Sequence, residues 1–155
     1  MSSRPKPTAH RTSAAYKPTE YLFSNSINQI SPLAVYKVID KGFALKDVQA
    51  MVCPTQLYTS ALILEKIIGG SLKGYQRALK RNARLSSKKS AVVFQYAKGL
   101  ELAITVFGSL DLAEQWLGRP CKYLEGITPV DALDNYFGYK AVEDYLEKIL
   151  YGIYQ

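Results

Sequence analysis

Apolar residues along this chain recur at intervals of three and four, the spacing that places side chains on one face of an α-helix. Ser31-Pro32 opens one such stretch, with Leu33, Tyr36, Val38 and Ile39 near a common face and Gly42 as its stop. Leu45–Val52 forms a short second stretch that ends before Pro54. Farther on the pattern becomes a pair. Ala61, Leu62, Leu64, Ile67 and Ile68 predict a helix stopped by Gly69-Gly70, and Ser71 caps another in which Leu72, Tyr75 and Leu79 recur at i, i+3 and i+7. The longest helix follows Ser86-Ser87, with Val93, Tyr96, Ala97, Leu100, Ala103, Ile104 and Phe107 on its apolar side up to Gly108. Ser109 caps a helix over Leu110–Leu117. Thr128, Pro129 and Asp131 provide an N-cap, a first-position proline and a first-turn carboxylate for the next. The last helix fits Tyr139–Tyr151, with Val142, Tyr145, Leu146, Ile149 and Leu150 inward and Glu143, Asp144 and Glu147 outward. No stretch alternates with the period of two that a half-buried strand needs, so the expected class is all-α.

The chain has 155 residues, 48% apolar and 21% charged, the composition of one globular domain with its own core. The longest contiguous apolar runs, Ala61–Leu64 and Ala91–Phe94, are far short of the ~20 residues of a membrane helix, and residues 1–10 lack the apolar stretch of a secretory leader. With Cys53 and Cys121 read as free thiols, a cytoplasmic protein that meets no membrane is expected. Charge changes this bland picture. Residues 1–90 carry 15 Lys/Arg against 4 Asp/Glu, a net of +11, whereas residues 91–155 carry 5 against 9, a net of −4. A basic half attracts polyanions and an acidic half suits a basic protein, so two surfaces with two partners are expected. Residues 1–20, in which Arg4, Lys6, Arg11 and Lys17 are interleaved with Pro, Ser and Thr, read as a flexible basic arm.

On the helix after Ser71, the basic residues Lys73, Arg77, Lys80, Arg81 and Arg84 form a stripe away from the Leu72-Tyr75-Leu79 face. A helix that rests on its neighbour by one side and offers cations on the other is what a helix-turn-helix needs to read DNA. Ser71, Lys73, Gln76 and Arg77 are placed for bases, and Lys80, Arg81, Arg84, Lys88 and Lys89 for phosphates. Enzyme chemistry is weakly supported. His10, the only histidine, lies in the arm, and Gly69–Gly74 lacks both the Walker spacing and a preceding strand. Cys53, Cys121 and His10 do not have zinc-ligand spacing. No catalytic residue, metal or cofactor is expected. Asp131 and Asp134 read as helix-capping carboxylates, and Trp116, Tyr136 and Tyr145 as core aromatics. The apolar helix over 91–107 has surface enough for both an internal core and a partner, which predicts a homodimer, as helix-turn-helix readers of two-fold DNA sites require.

The runs Trp116-Leu117-Gly118-Arg119-Pro120, Leu124-Glu125-Gly126-Ile127-Thr128-Pro129-Val130-Asp131-Ala132-Leu133, Gly138-Tyr139-Lys140-Ala141-Val142 and Leu146–Gly152 resemble the C-terminal toxin-binding domain of the Xre/MbcA/ParS antitoxin family. Ser71–Arg77 and Arg84-Leu85-Ser86 are similar to the family's Xre-like helix-turn-helix. The resemblance implies a helix-turn-helix DNA-binding domain over 21–108 and a small helical toxin-binding domain over 109–155. It further implies an antitoxin that silences a RES-domain toxin of NAD-degrading type and represses its own operon by binding operator DNA. Arg119, Lys122, Glu125, Tyr139, Glu143, Glu147, Tyr151, Tyr154 and Gln155 are the expected toxin contacts, with the terminal aromatics suited to entering a nucleotide pocket. A DNA-binding regulator without a toxin is the alternative.

Overall fold

A computed structural model describes residues 16–23, 31–58, 65–66 and 69–152 of the chain. Among them the helices are α1 (Pro18–Leu22), α2 (Pro32–Lys41), α3 (Leu45–Val52), α4 (Leu72–Lys80), α5 (Ser87–Phe107), α6 (Leu110–Leu117), α7 (Pro129–Ala132) and α8 (Tyr136–Leu150), with a 3-10 turn at Lys122–Leu124. Extended pairing among the described residues is confined to a single bridge between Ala44 and Arg84, so the class is all-α. The helix expected over 61–68 lies outside the described residues except for Glu65 and Lys66, which are helical.

Four of the eight described helix starts are fixed by serine. Ser31, Ser71, Ser86 and Ser109 each accept a hydrogen bond at 3.2 Å from the backbone N–H three residues on, which satisfies a donor that the first turn leaves free. Gly108, in the left-handed region, closes α5. The α2–α3 and α4–α5 connections are clasped together. Leu45 N–H donates to Ala83 O and Leu85 N–H to Phe43 O, each at 2.9 Å, and Phe43 N–H donates to Ser90 Oγ at 2.9 Å.

The core is organised around α5, whose Val93, Tyr96, Ala97, Leu100 and Ala103 have no solvent exposure. The helices α1, α2, α6 and α8 pack on it. Tyr58, fully buried, sets its ring edge-on to Tyr96 at 5.5 Å and donates its hydroxyl to Tyr96 O at 2.8 Å. At 21 residues α5 has the length and apolar content of a membrane span, which the contiguous runs did not reveal. Its apolar positions are spent on neighbouring helices, as in the central helix of a bundle, and residues 90–104 include none that is exposed. Ala91, Val92, Phe94, Leu102 and Ile104 on this helix are only partly buried.

Three expectations are corrected. The basic arm ends sooner than residue 20: Pro18, Thr19 and Glu20 are helical, and Thr19 is buried with its N–H 3.2 Å from a Glu101 carboxylate oxygen. On α2 the inward residues are Val35, Val38 and Ile39, while Leu33 and Tyr36 face solvent. On α4, Tyr75, Ala78 and Leu79 pack against the core, but Leu72 is 67% exposed. In each helix the seat of the neighbour, which spacing does not specify, selects which part of a broad apolar stripe is covered.

Candidate functional site

Two surfaces carry chemistry. The first is α4 and the start of α5. No residue of α4 is fully buried, and Ser71, Lys73, Gln76, Arg77, Lys80 and Arg81 are all exposed. Ser71 uses its hydroxyl on the Gly74 N–H, so its first role is to start the helix. Arg84 is not part of the helical stripe. The chain turns at Arg81 and Asn82, the latter with φ 52°, and the Arg84 guanidinium donates to Gly42 O at 2.9 Å, across the clasp between the two connections. Lys88 and Lys89 occupy the exposed first turn of α5. Between α4 and this turn runs an open cleft of about 470 Å³ bordered by Gly70, Tyr75, Arg81, Arg84, Ser86 and Lys89. Arg81, Arg84 and Lys89 around the cleft suit the phosphates of a polyanion. The first helix of the expected two-helix motif lies outside the described residues except for Glu65 and Lys66.

The second surface is formed by α6 to α8. Phe107, Trp116, Tyr145 and Tyr123 form a run of neighbouring rings. Centroids are 5.4 Å apart for the first pair, 5.8 Å for the second and 5.1 Å for the third, with the last two pairs nearly parallel. Trp116 and Tyr145 are half-buried, as core aromatics should be. Tyr136 is not: it is 57% exposed, and its neighbour Phe137, which the sequence reading passed over, is 79% exposed. Their rings meet edge to face at 5.4 Å.

This pair stands on a fixed platform. Asn135 caps α8 by accepting from the N–H groups of Phe137, at 2.9 Å, and Gly138, at 3.3 Å. A Cβ on Gly138 would sit 2.2 Å from Ala132 O, so only glycine lets the first turn of α8 press on the end of α7. Behind it, buried Gln95 of α5 donates to Leu133 O at 2.8 Å, while the Leu133 side chain fills the space over Gly99.

The expected toxin contacts divide accordingly. Arg119, Lys122 and Glu125 are exposed on the loop after α6, and Glu125 adopts φ 56°, the left-handed region that favours glycine. Tyr139 is buried, so its ring is unavailable to a partner. Its hydroxyl donates to Glu143 Oε2 at 2.5 Å, while Lys140 Nζ lies 2.6 Å from Glu143 Oε1. Burial pushes the Tyr139 hydroxyl up, and the bond to Glu143 adds to this. For Glu143, burial alone would raise the carboxyl, but the hydrogen bonds from Lys140 and Tyr139 outweigh it and hold the group below its ordinary range. Glu147 is half-buried and Tyr151 is 72% exposed, whereas Tyr154 and Gln155 lie outside the described residues. Among the described residues no three His, Cys, Asp or Glu side chains converge as a metal-binding set.

Residues 102–152, from the second half of α5 to the end of α8, match the family model of the antitoxin Xre/MbcA/ParS C-terminal toxin-binding domain. The curated protein Antitoxin Xre of Photorhabdus laumondii is 27% identical over 89 residues, which cover 57% of this chain. The chain spans about 60% of the length of that relative. The C-terminal third is thus similar to a domain that binds a protein, which points to a binding protein rather than an enzyme.

Proposed function

We propose that this chain is the antitoxin of a type II toxin–antitoxin pair, which binds and neutralises a RES-domain, NAD-degrading toxin and, as a homodimer, represses its own operon. The observation that carries the reading is a coincidence in one segment. The residues that match a toxin-binding domain also hold the chain's acidic excess and exposed aromatic rings, the features that suit a basic, nucleotide-binding partner. Residues 109–155 then supply the toxin-binding domain and residues 21–108 the DNA-binding one. Exposed Lys73, Gln76, Arg77, Lys80 and Arg81 at α4 support the second activity, with exposed Arg84 beside them also tying the α4–α5 connection to Gly42 O. The chemistry belongs to the partner, so the chain itself needs no cofactor.

The test is growth of cells that co-express the chain with the RES-domain protein encoded beside it, together with operator binding at fixed salt. Protection by the wild-type chain is expected. Arg77→Ala/Lys80→Ala should protect equally while losing more than about tenfold in operator affinity, since two charged contacts are worth ~1–3 kcal/mol each. Operator binding without protection would favour a DNA-binding regulator that has no toxin. Protection with unchanged operator binding in the folded double variant would remove α4 from the DNA interface.

A further inference from the structure

The outward side of α8 is unusual for a helix whose inward side is well packed. Phe137, Ala141, Asp144, Lys148 and Tyr151 are all exposed and follow one another at four, three, four and three residues, which places them in a single line. Aromatic rings stand at both ends, and a small residue lies between them. Phe137 and Tyr151 are about 21 Å apart along the helix, and a protein interface of ordinary size is about 30 Å across, so one partner can cover the whole line.

We infer that this line is the face on which the toxin docks, with Tyr136 and Phe137 as its anchor in an apolar socket that has a basic rim. The inference rests on the toxin-binding reading above. Three observations carry it further than that reading. Two large aromatic side chains stand exposed side by side, and exposed aromatics of this kind dominate the energy of protein interfaces once a partner covers them. The backbone that carries them is also fixed before any partner arrives, by the Asn135 cap, by the contact of Gly138 with Ala132 O and by Gln95 beneath Leu133, so binding has only side-chain ordering to oppose it. Finally, the surrounding segment is acidic. Between residues 131 and 151, Asp131, Asp134, Glu143, Asp144 and Glu147 outnumber Lys140 and Lys148, and even with Lys66 3.5 Å from Asp131 the excess is acidic, which selects a cationic rim and disfavours nucleic acid.

The experiment uses the full chain co-expressed with the RES-domain protein of its own operon, and measures the affinity of the purified partners together with the mass of the free chain by light scattering. Two variants probe the line: Tyr136→Ala/Phe137→Ala removes the anchor, and Ala141→Arg places a long side chain at its middle. Both alter exposed positions, so melting temperatures should match the wild type. Each variant is expected to lose about 30-fold or more in toxin affinity, whereas Leu112→Ala, at an exposed apolar position on α6, should lose almost none. Wild-type affinity in both folded variants overturns the inference and leaves the toxin reading intact. Conversion of a wild-type dimer to monomer by the variants, with toxin affinity unchanged, also overturns it by making the line a contact between two copies. A wild-type chain that fails to hold the RES-domain protein overturns the toxin reading itself, and the anchor with it.

Discussion

Replacing glycine by alanine should have opposite consequences at two helical positions of this chain. At Gly74, in α4, an added Cβ meets only the Ser71 hydroxyl, at 3.5 Å, an ordinary contact. Alanine there reduces the entropy lost on helix formation and should stabilise the fold by about 0.5–1 kcal/mol. At Gly138 the same methyl would lie 2.2 Å from Ala132 O and 3.0 Å from its carbonyl carbon, both backbone atoms. Relief requires a movement of about an ångström between α7 and α8. That movement is opposed because the next residue, Leu133, is tied by its carbonyl to Gln95 and by its side chain to Gly99. Overpacking of this kind costs ~1–3 kcal/mol, and the backbone character of the obstruction favours the upper end, which leaves a net loss of ~1–2 kcal/mol after the helix-propensity gain. For a domain of this size the melting temperature should fall by about 2–8 °C in Gly138→Ala and rise by about 1–4 °C in Gly74→Ala. Thermal and urea unfolding of the purified chains measure both. A Gly138→Ala chain as stable as Gly74→Ala would refute the account of the α7–α8 junction and with it the rigidity claimed for the backbone that carries the aromatic pair.

Glu143 is held below the ordinary glutamate value of 4.5, so its ion pair contributes stability that is complete above about pH 5 and fades as pH falls through the lowered value. Glu143→Gln should therefore lower stability at pH 7 by about 1 kcal/mol, less than a fully buried pair would, since Lys140 is partly exposed, and the gap to wild type should close toward pH 3. A gap that persists at pH 3 contradicts the assignment. Glu125→Gly, which relieves a left-handed residue in an exposed loop, should raise stability by up to about 1 kcal/mol in the same unfolding assay; a loss would show that the Glu125 side chain makes a stabilising contact.

What the sequence conveyed was chiefly local. Ser31, Ser71, Ser86 and Ser109 act within four residues of themselves, so the starts of four helices are legible, and the apolar face of α5 is long enough to be read from spacing alone. What it concealed depends on distant partners. Arg84 reads as another member of a basic stripe, but its acceptor is a carbonyl 42 residues away. Tyr139 reads as a toxin contact, yet its ring is buried and its hydroxyl donates to Glu143. Tyr136 and Phe137 carried one signal that could have exposed them. Asn135 is a strong capping residue, and beginning α8 there rather than at Tyr139 puts both rings on its first turn, ahead of the inward-facing line. Leu33, Tyr36 and Leu72 had no such signal, since only the seating of α2 and α4 on the bundle decides which side of each apolar stripe stays wet.

Because α5 passes without interruption from the clasped basic region into the matched segment that begins at residue 102, the angular relation between the two surfaces is set by helical phase. One residue inserted between Ala97 and Leu100 would turn everything downstream by about 100° and advance it by about 1.5 Å. The Ser90–Tyr96 side of the helix would then no longer line up with Leu100 and Ala103. Recombination between relatives of this chain can exchange one surface for another only where the crossover conserves that phase. Lengths that differ by three, four or seven residues within α5 should be tolerated far better than those that differ by one or two.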